Sequence, residues 1–196
     1  MKNLICFLLI ASIGFTACKN NKHVKEIKAV DSLYTVIDSI EKTLASIDTN
    51  NIRLTYKTYS ENINLLKKNF KDKKEDSVWS VMTTYGIIKK PLKSFINDYP
   101  DFYSEIEYSR HQLDSLKIDI NAGNIKDDKI AEYTKTESEA VYNLKQQVEI
   151  SVSTAKERLK LYDSLNPKVI KVIAKLKKEG KGISSSEDSE EDEDDD

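Results

Sequence analysis

Few side chains in this 196-residue sequence are suited to chemistry, and their spacing excludes most of the reactions they suggest. The two histidines are His23 and His111. Carboxylate di-iron bundles place Glu-x-x-His on two helices, but the residues three before these histidines are Asn20 and Tyr108, so that centre is ruled out. Asp119-Ile120-Asn121-Ala122-Gly123-Asn124 begins like a calcium loop. Its glycine falls one position early, and Ile130 stands where a bidentate Glu is required, so it reads as a helix end with a glycine stop. Ser109, His111, Asp114 and Ser115 supply triad residue types, but a triad is a matter of geometry, and helical spacing makes His111 a surface or partly buried helix residue. The five glycines are too scattered for a phosphate loop, and neither HExxH nor CxxC occurs. No catalytic residue, metal ligand or cofactor site is assigned, and an enzyme is the least supported class.

That leaves the cysteines, Cys6 and Cys18. Lys2 is followed by an apolar run from Leu4 to Phe15 and then by Thr16-Ala17-Cys18, the basic, apolar and small-residue parts of a secretory signal. Counted from Leu4 to Cys18 the stretch is about 15 residues, shorter than the ~20 needed to span a bilayer, and Lys19 and Lys22 follow at once. Residues 1–17 are therefore read as a cleaved signal peptide. Phe15 to Cys18 resembles the lipobox of bacterial lipoproteins, with Phe15 where that family usually has Leu. The resemblance implies that Cys18 is diacylated and becomes the mature N-terminus. Cys6 leaves with the signal and Cys18 carries lipid, so one mature chain has no thiol pair for a disulfide, and stability has to come from a core.

Residues 18–23 form a polar, lipidated tether. Some Bacteroidota lipoproteins that reach the cell surface carry acidic residues just after the cysteine. Here Lys19-Asn20-Asn21-Lys22 carries none, which favours a periplasm-facing location.

Residues 24–182 read as one helical domain, rich in Lys, Ile, Asn and Ser, with few Gly or Pro to make the turns of a β fold. Val30, Leu33, Ile37, Ile40, Leu44 and Ile47 recur at steps of three and four, predicting a helix from Lys22 to Asp48. Ile52, Tyr56, Tyr59, Ile63, Leu66 and Phe70 predict a second. Asp48-Thr49-Asn50-Asn51 joins them by a linker short enough to suggest an antiparallel hairpin. After the mixed-charge stretch Lys71–Glu75, Asp76 or Ser77 caps a third helix carrying Val78, Val81, Met82, Tyr85 and Ile88, with Trp79 beside that face. Gly86 and Pro91 then kink it or start a short new helix. Pro100 is expected to open a fourth helix, which Gly123 ends. Asp127 and Asp128 cap a long helix spanning about 127–165, whose two successive four-residue steps, Leu144 to Val148 to Val152, favour globular bundle packing over a long two-stranded coiled coil. Asn166-Pro167 opens the last helix, which Gly180 and Gly182 end. The fold class is all-α, an antiparallel bundle of five to seven helices.

Residues 183–196 are expected to form a disordered acidic tail. Nine of the 33 acids fall between Glu187 and Asp196, leaving 24 against 30 Lys and Arg once Lys2 is removed, so the remainder of the chain carries about +6. Such a tail either solubilises the protein or folds onto the basic body and competes with an anionic partner, a contact that salt weakens. Tyr99, Phe102, Tyr103 and Tyr108 offer aromatic contact area, though at helical spacing they serve as core or rim.

With Leu161-Tyr162-Asp163-Ser164-Leu165-Asn166-Pro167, the whole pattern resembles helical Bacteroidota envelope lipoproteins of unassigned activity. The expected function is a lipid-anchored, periplasm-facing, non-enzymatic binding or structural module of the cell envelope. Its partners are the membrane, through lipid at Cys18, and an envelope protein or an anionic lipid or polymer; nucleic acid is not expected. The alternative is a carrier holding a small apolar or lipid ligand in the bundle core near Gly86 and Pro91.

Overall fold

A computed structural model describes residues 21–69 and 76–178. The signal peptide, Cys18, Phe70, the stretch 71–75, Gly180, Gly182 and the acidic tail lie outside them. Five α-helices follow a 3-10 turn at Asn21–His23. They are α1 (Val24–Ala45), α2 (Thr49–Asn69), α3 (Asp76–Gly86), α4 (Lys89–Ala122) and α5 (Asp127–Lys178).

These helices build three long rods rather than a set of short hairpins. Cross-links between helices give their directions. Tyr34, Asp38 and Asp31 on α1 meet Asp114, Arg110 and Lys117 on α4, so those two run antiparallel. By contrast, Lys22 pairs with Asp127, Ser46 with Lys156, and Asn62 on α2 with Asn166, so α1 and then α2 run along α5 in its own direction. The predicted α1–α2 hairpin is therefore incorrect, because α2 continues the line of α1. In the same way α3 and α4 form the second rod, and α5, with 52 residues and a length of roughly 78 Å at ~1.5 Å per residue, is the third.

Seam spacing explains why the chain does not turn back after α1. Val30, Leu33, Ile37, Ile40, Leu44 and Ile47 are buried, and so are Ile52, Thr55, Tyr59, Asn62 and Leu66. The steps alternate three and four throughout, except for a single five between Ile47 and Ile52. Residues 46–48 absorb that one extra residue, so the same face stays turned to α5. Asp48 then starts α2, its Oδ1 accepting from the backbone N–H groups of Asn50 and Asn51 at 2.9 and 3.1 Å.

The second rod keeps its alternation from Val78 to Ile120, with Val81 and Tyr99 half-buried and Tyr85, Ile88, Leu92, Phe95, Phe102, Ile106, Ser109, Leu113 and Leu116 buried. That unbroken face decides how the prolines behave. The interruption falls at Ile87 and Ile88, and α4 begins at Lys89, two residues before Pro91, whose missing donor lies in a first turn that lacks carbonyl partners anyway. Pro100, predicted to start a helix, lies inside α4. Losing its hydrogen bond costs about 3 kcal/mol in a helix interior. Burying Phe95, Phe102 and Ile106 on either side recovers roughly 1.5–3 kcal/mol each, so the helix runs through. Pro167 is likewise inside α5, which ends at Lys178 rather than near Leu165, because Val169, Ile173 and Leu176 stay buried beyond it.

Gly123 ends α4 as expected, at φ 71°, with its N–H reaching the Ile120 carbonyl and that of Asn124 reaching Asp119. Asp127 opens α5, but its carboxylate goes to Lys22 and His23.

Replacing Asp48 by Ala removes both accepted bonds at the α1–α2 junction. Urea unfolding should show a loss of about 1 kcal/mol with an unchanged m-value.

Candidate functional site

The molecule has two poles. At the near pole, the first turn of α1 meets the α4–α5 turn. The Lys22 ammonium bonds Asp127, and His23 Nε2 lies 3.0 Å from the same carboxylate. Lys22, then His23, holds the Asp127 carboxyl below its ordinary range. A recess of about 860 Å³ here is lined by Lys22, His23, Ile27, Lys117, Ile120 and Asp127, among others. Lys22 is four residues from Cys18, at most ~14 Å of extended chain.

Toward the far pole all three rods contribute to one buried polar layer. Asn62 Nδ2 donates to Asn166 Oδ1 at 2.8 Å, and Tyr85 Oη donates to the same oxygen at 2.9 Å. Tyr59 Oη donates to the Gly86 carbonyl at 3.5 Å, occupying one of the carbonyls freed where α3 ends. The rings of Tyr59 and Tyr85 lie 4.8 Å apart, and those of Tyr85 and Tyr162 6.0 Å apart. These residues stand at seam positions, where a polar side chain fixes the register of neighbouring helices. Burial pushes the phenols of Tyr59, Tyr85 and Tyr162 up, so they are neutral donors rather than nucleophiles. The layer aligns the rods; it has no group that would attack a substrate.

Beyond that layer the exposed surface is lysine-rich. Lys168, Lys171, Lys175, Lys177 and Lys178 of α5 are exposed, as are Lys67 and Lys68 at the end of α2. Trp79 on α3 is 53% exposed and Ile170 on α5 51%. Such a surface attracts polyanions.

The chain matches no family model, no curated protein and no solved structure. Its function has to be read from its own residues.

The residues singled out for chemistry do not converge. His111 is exposed on α4, Ser109 is buried in the seam, and the Asp114 carboxylate accepts from Tyr34 Oη at 2.5 Å. No triad forms among them. Asp119 and Asn124 bond one another, backbone and side chain, as the close of α4. Among the described residues no group of three or more His, Cys, Asp or Glu is placed to hold a metal ion. No described helix is long and apolar enough to cross a membrane. Phe102 is buried, Tyr99 half-buried and Tyr108 60% exposed, so the four aromatics around Pro100 divide between core and surface. A hydrogen bond to Tyr103, together with burial, pushes the Tyr99 phenol up to about 12.

Sequence reasoning missed Asn62 and Asn166, because it sought apolar residues on the seam. It also missed the far-pole lysines as a group, because Lys67 and Lys68 join those of α5 only when α2 runs parallel to it.

The raised phenols make stability pH-dependent. Each lends stability that is complete below the ordinary tyrosine value of 10.0 and is lost as pH rises from there toward the raised folded value. Urea midpoints should hold steady to about pH 10 and fall above it. Tyr85→Phe should start less stable by ~1 kcal/mol, for the lost bond to Asn166, and fall less steeply.

Proposed function

We propose that this protein is a bacterial envelope lipoprotein, acylated at Cys18, whose three-rod bundle serves as a periplasm-facing, non-enzymatic binding or structural module. The observation that carries the reading is polarity. The start of α1, just after Cys18, lies at one pole of a rod roughly 78 Å long, and α5 ends at the other. A tether at the near pole would hold the far pole away from the bilayer, as a spacer does. Several acyl chains on one cysteine would anchor it firmly, at about 0.8 kcal/mol per buried methylene. The seams, filled with Ile, Leu and Val side chains along all three rods, suit a stiff strut.

The carrier reading has one observation in its favour. A groove of about 560 Å³ between α4 and α5 has Phe102, Leu144 and Ile150 in its lining, with Asp98, Asp101 and Glu105 on the α4 side. It would suit an elongated apolar ligand with a cationic group. It does not lie between α3 and α4, which follow one another in a single rod.

Metabolic labelling with a palmitate analogue tests the anchor. Wild-type chain should take up label, and Cys18→Ala should take up none and fractionate away from membranes. Equal labelling of the two would overturn the lipoprotein reading.

A further inference from the structure

The basic character of this protein is not spread evenly along the rod. At the near pole Lys22, Lys117 and Lys129 are each paired, with Asp127, Asp31 and Glu132. The middle of the bundle also carries its own counter-charges, Arg110 with Asp38 and Glu41, Lys135 with Glu139, and Lys145 with Glu149. Past the polar layer the balance changes. After Asp163, α5 runs through five lysines to Lys178 without an Asp or Glu. The Asn62–Asn166 bond sets α2 parallel to α5 in that register, so Lys67 and Lys68 fall level with Lys171. Tyr85 is level with Asn166, and α3 runs the opposite way, so Trp79 lies roughly 9 Å farther toward the same pole at ~1.5 Å per residue. Seven exposed lysines thus share one end with a half-exposed Trp. On that side of the layer Asp76 is the one acidic residue among the described residues.

The chain itself supplies the complement. Beyond Lys178 it reads Glu179-Gly180-Lys181-Gly182-Ile183-Ser184-Ser185-Ser186, then places nine acids between Glu187 and Asp196. Eight intervening residues span at most ~28 Å when extended. From Lys178 back to Lys168 along α5 is roughly 15 Å. The acidic run therefore leaves from the pole that carries the lysines and is long enough to reach all of them. Attachment to the same chain gives it an effective concentration in the millimolar range, which a separate polyanion has to match.

We propose that the lysine-rich far pole is a polyanion-binding surface and that Glu187–Asp196 of the same chain is its resident occupant. This goes beyond the lipoprotein reading and does not depend on it, since neither the lysines nor the acids require acylation. An external anionic polymer would gain the surface only by displacing the tail, so its binding would be weaker than the lysines alone would give.

Zero-length carbodiimide crosslinking of the full chain, with light and heavy isotope-labelled chains mixed, tests this directly. At low salt, peptide mapping should recover within-chain amide links from Glu187–Asp196 to Lys67, Lys68, Lys168, Lys171, Lys177 and Lys178. They should be at least several-fold more abundant than links to Lys25, Lys28 or Lys126 at the near pole. The excess should vanish near 1 M salt, where the Debye length is about 3 Å. Lys168→Glu with Lys171→Glu, both on the exposed side of α5, should lower the yield of links to Lys67, Lys68, Lys177 and Lys178 while circular dichroism stays unchanged. Links spread evenly over near and far lysines, links mainly between light and heavy chains, or an excess insensitive to salt would each overturn the proposal.

Discussion

The apolar seam along α5 is the constraint that every other feature answers to. A 52-residue helix with an apolar stripe along its length needs partners to cover it, since most helical stability in proteins comes from packing an apolar face. Here α1 and α2 cover one side in turn, and α3 and α4 another. Two broken rods against one unbroken rod is the arrangement that results. The breaks are local adjustments that keep buried faces aligned: one absorbs an extra residue at 46–48, the other passes Ile87 and Ile88 without disturbing the step from Tyr85 to Ile88 to Leu92.

That seam outweighs local signals that would otherwise end helices. Pro100 and Pro167 are both exposed, so their rings point away from the packed face. Helices tolerate such positions when burial on either side exceeds the lost bond. At Pro167 the preceding residue has a second duty. Asn166 turns its side chain inward to Asn62 and Tyr85, so a sequence that resembles a capping signal is used as a contact between rods.

How much of this could be read from the sequence follows from the same physics. The stripes Val30 to Ile47 and Ile52 to Leu66 were legible because three-and-four spacing depends only on helix geometry. Asp48 as a cap and Gly123 as a stop were legible for a similar reason: each satisfies or accommodates its own local backbone. Direction was not. Whether the chain reverses or continues after Ile47 depends on a one-residue change of step and on a partner more than a hundred positions away, at Lys156. The proline boundaries were misread because propensity yields to tertiary burial. Thr55, Asn62, Ser109 and Thr134 were overlooked because they are polar residues in buried positions. As for the candidate sites, the proposal at Cys18 rests on a linear processing signal alone, and Cys18 lies outside the described residues. The far-pole lysines were half legible, from the run after Asp163, and needed the parallel course of α2 to complete them.

Because the described chain starts at one extremity and finishes at the other, a force pulling on its two ends acts along the axis of the bundle. Contacts between α1 and α5 would then be loaded in shear, with side chains from Val30 to Ile47 resisting together instead of parting one at a time as in a peeled hairpin. Threading the same helices as a hairpin, with both ends at one pole, would give comparable burial and much less resistance to tension. The order in which the helices follow one another, more than the size of the core, makes this bundle suited to bearing a mechanical load.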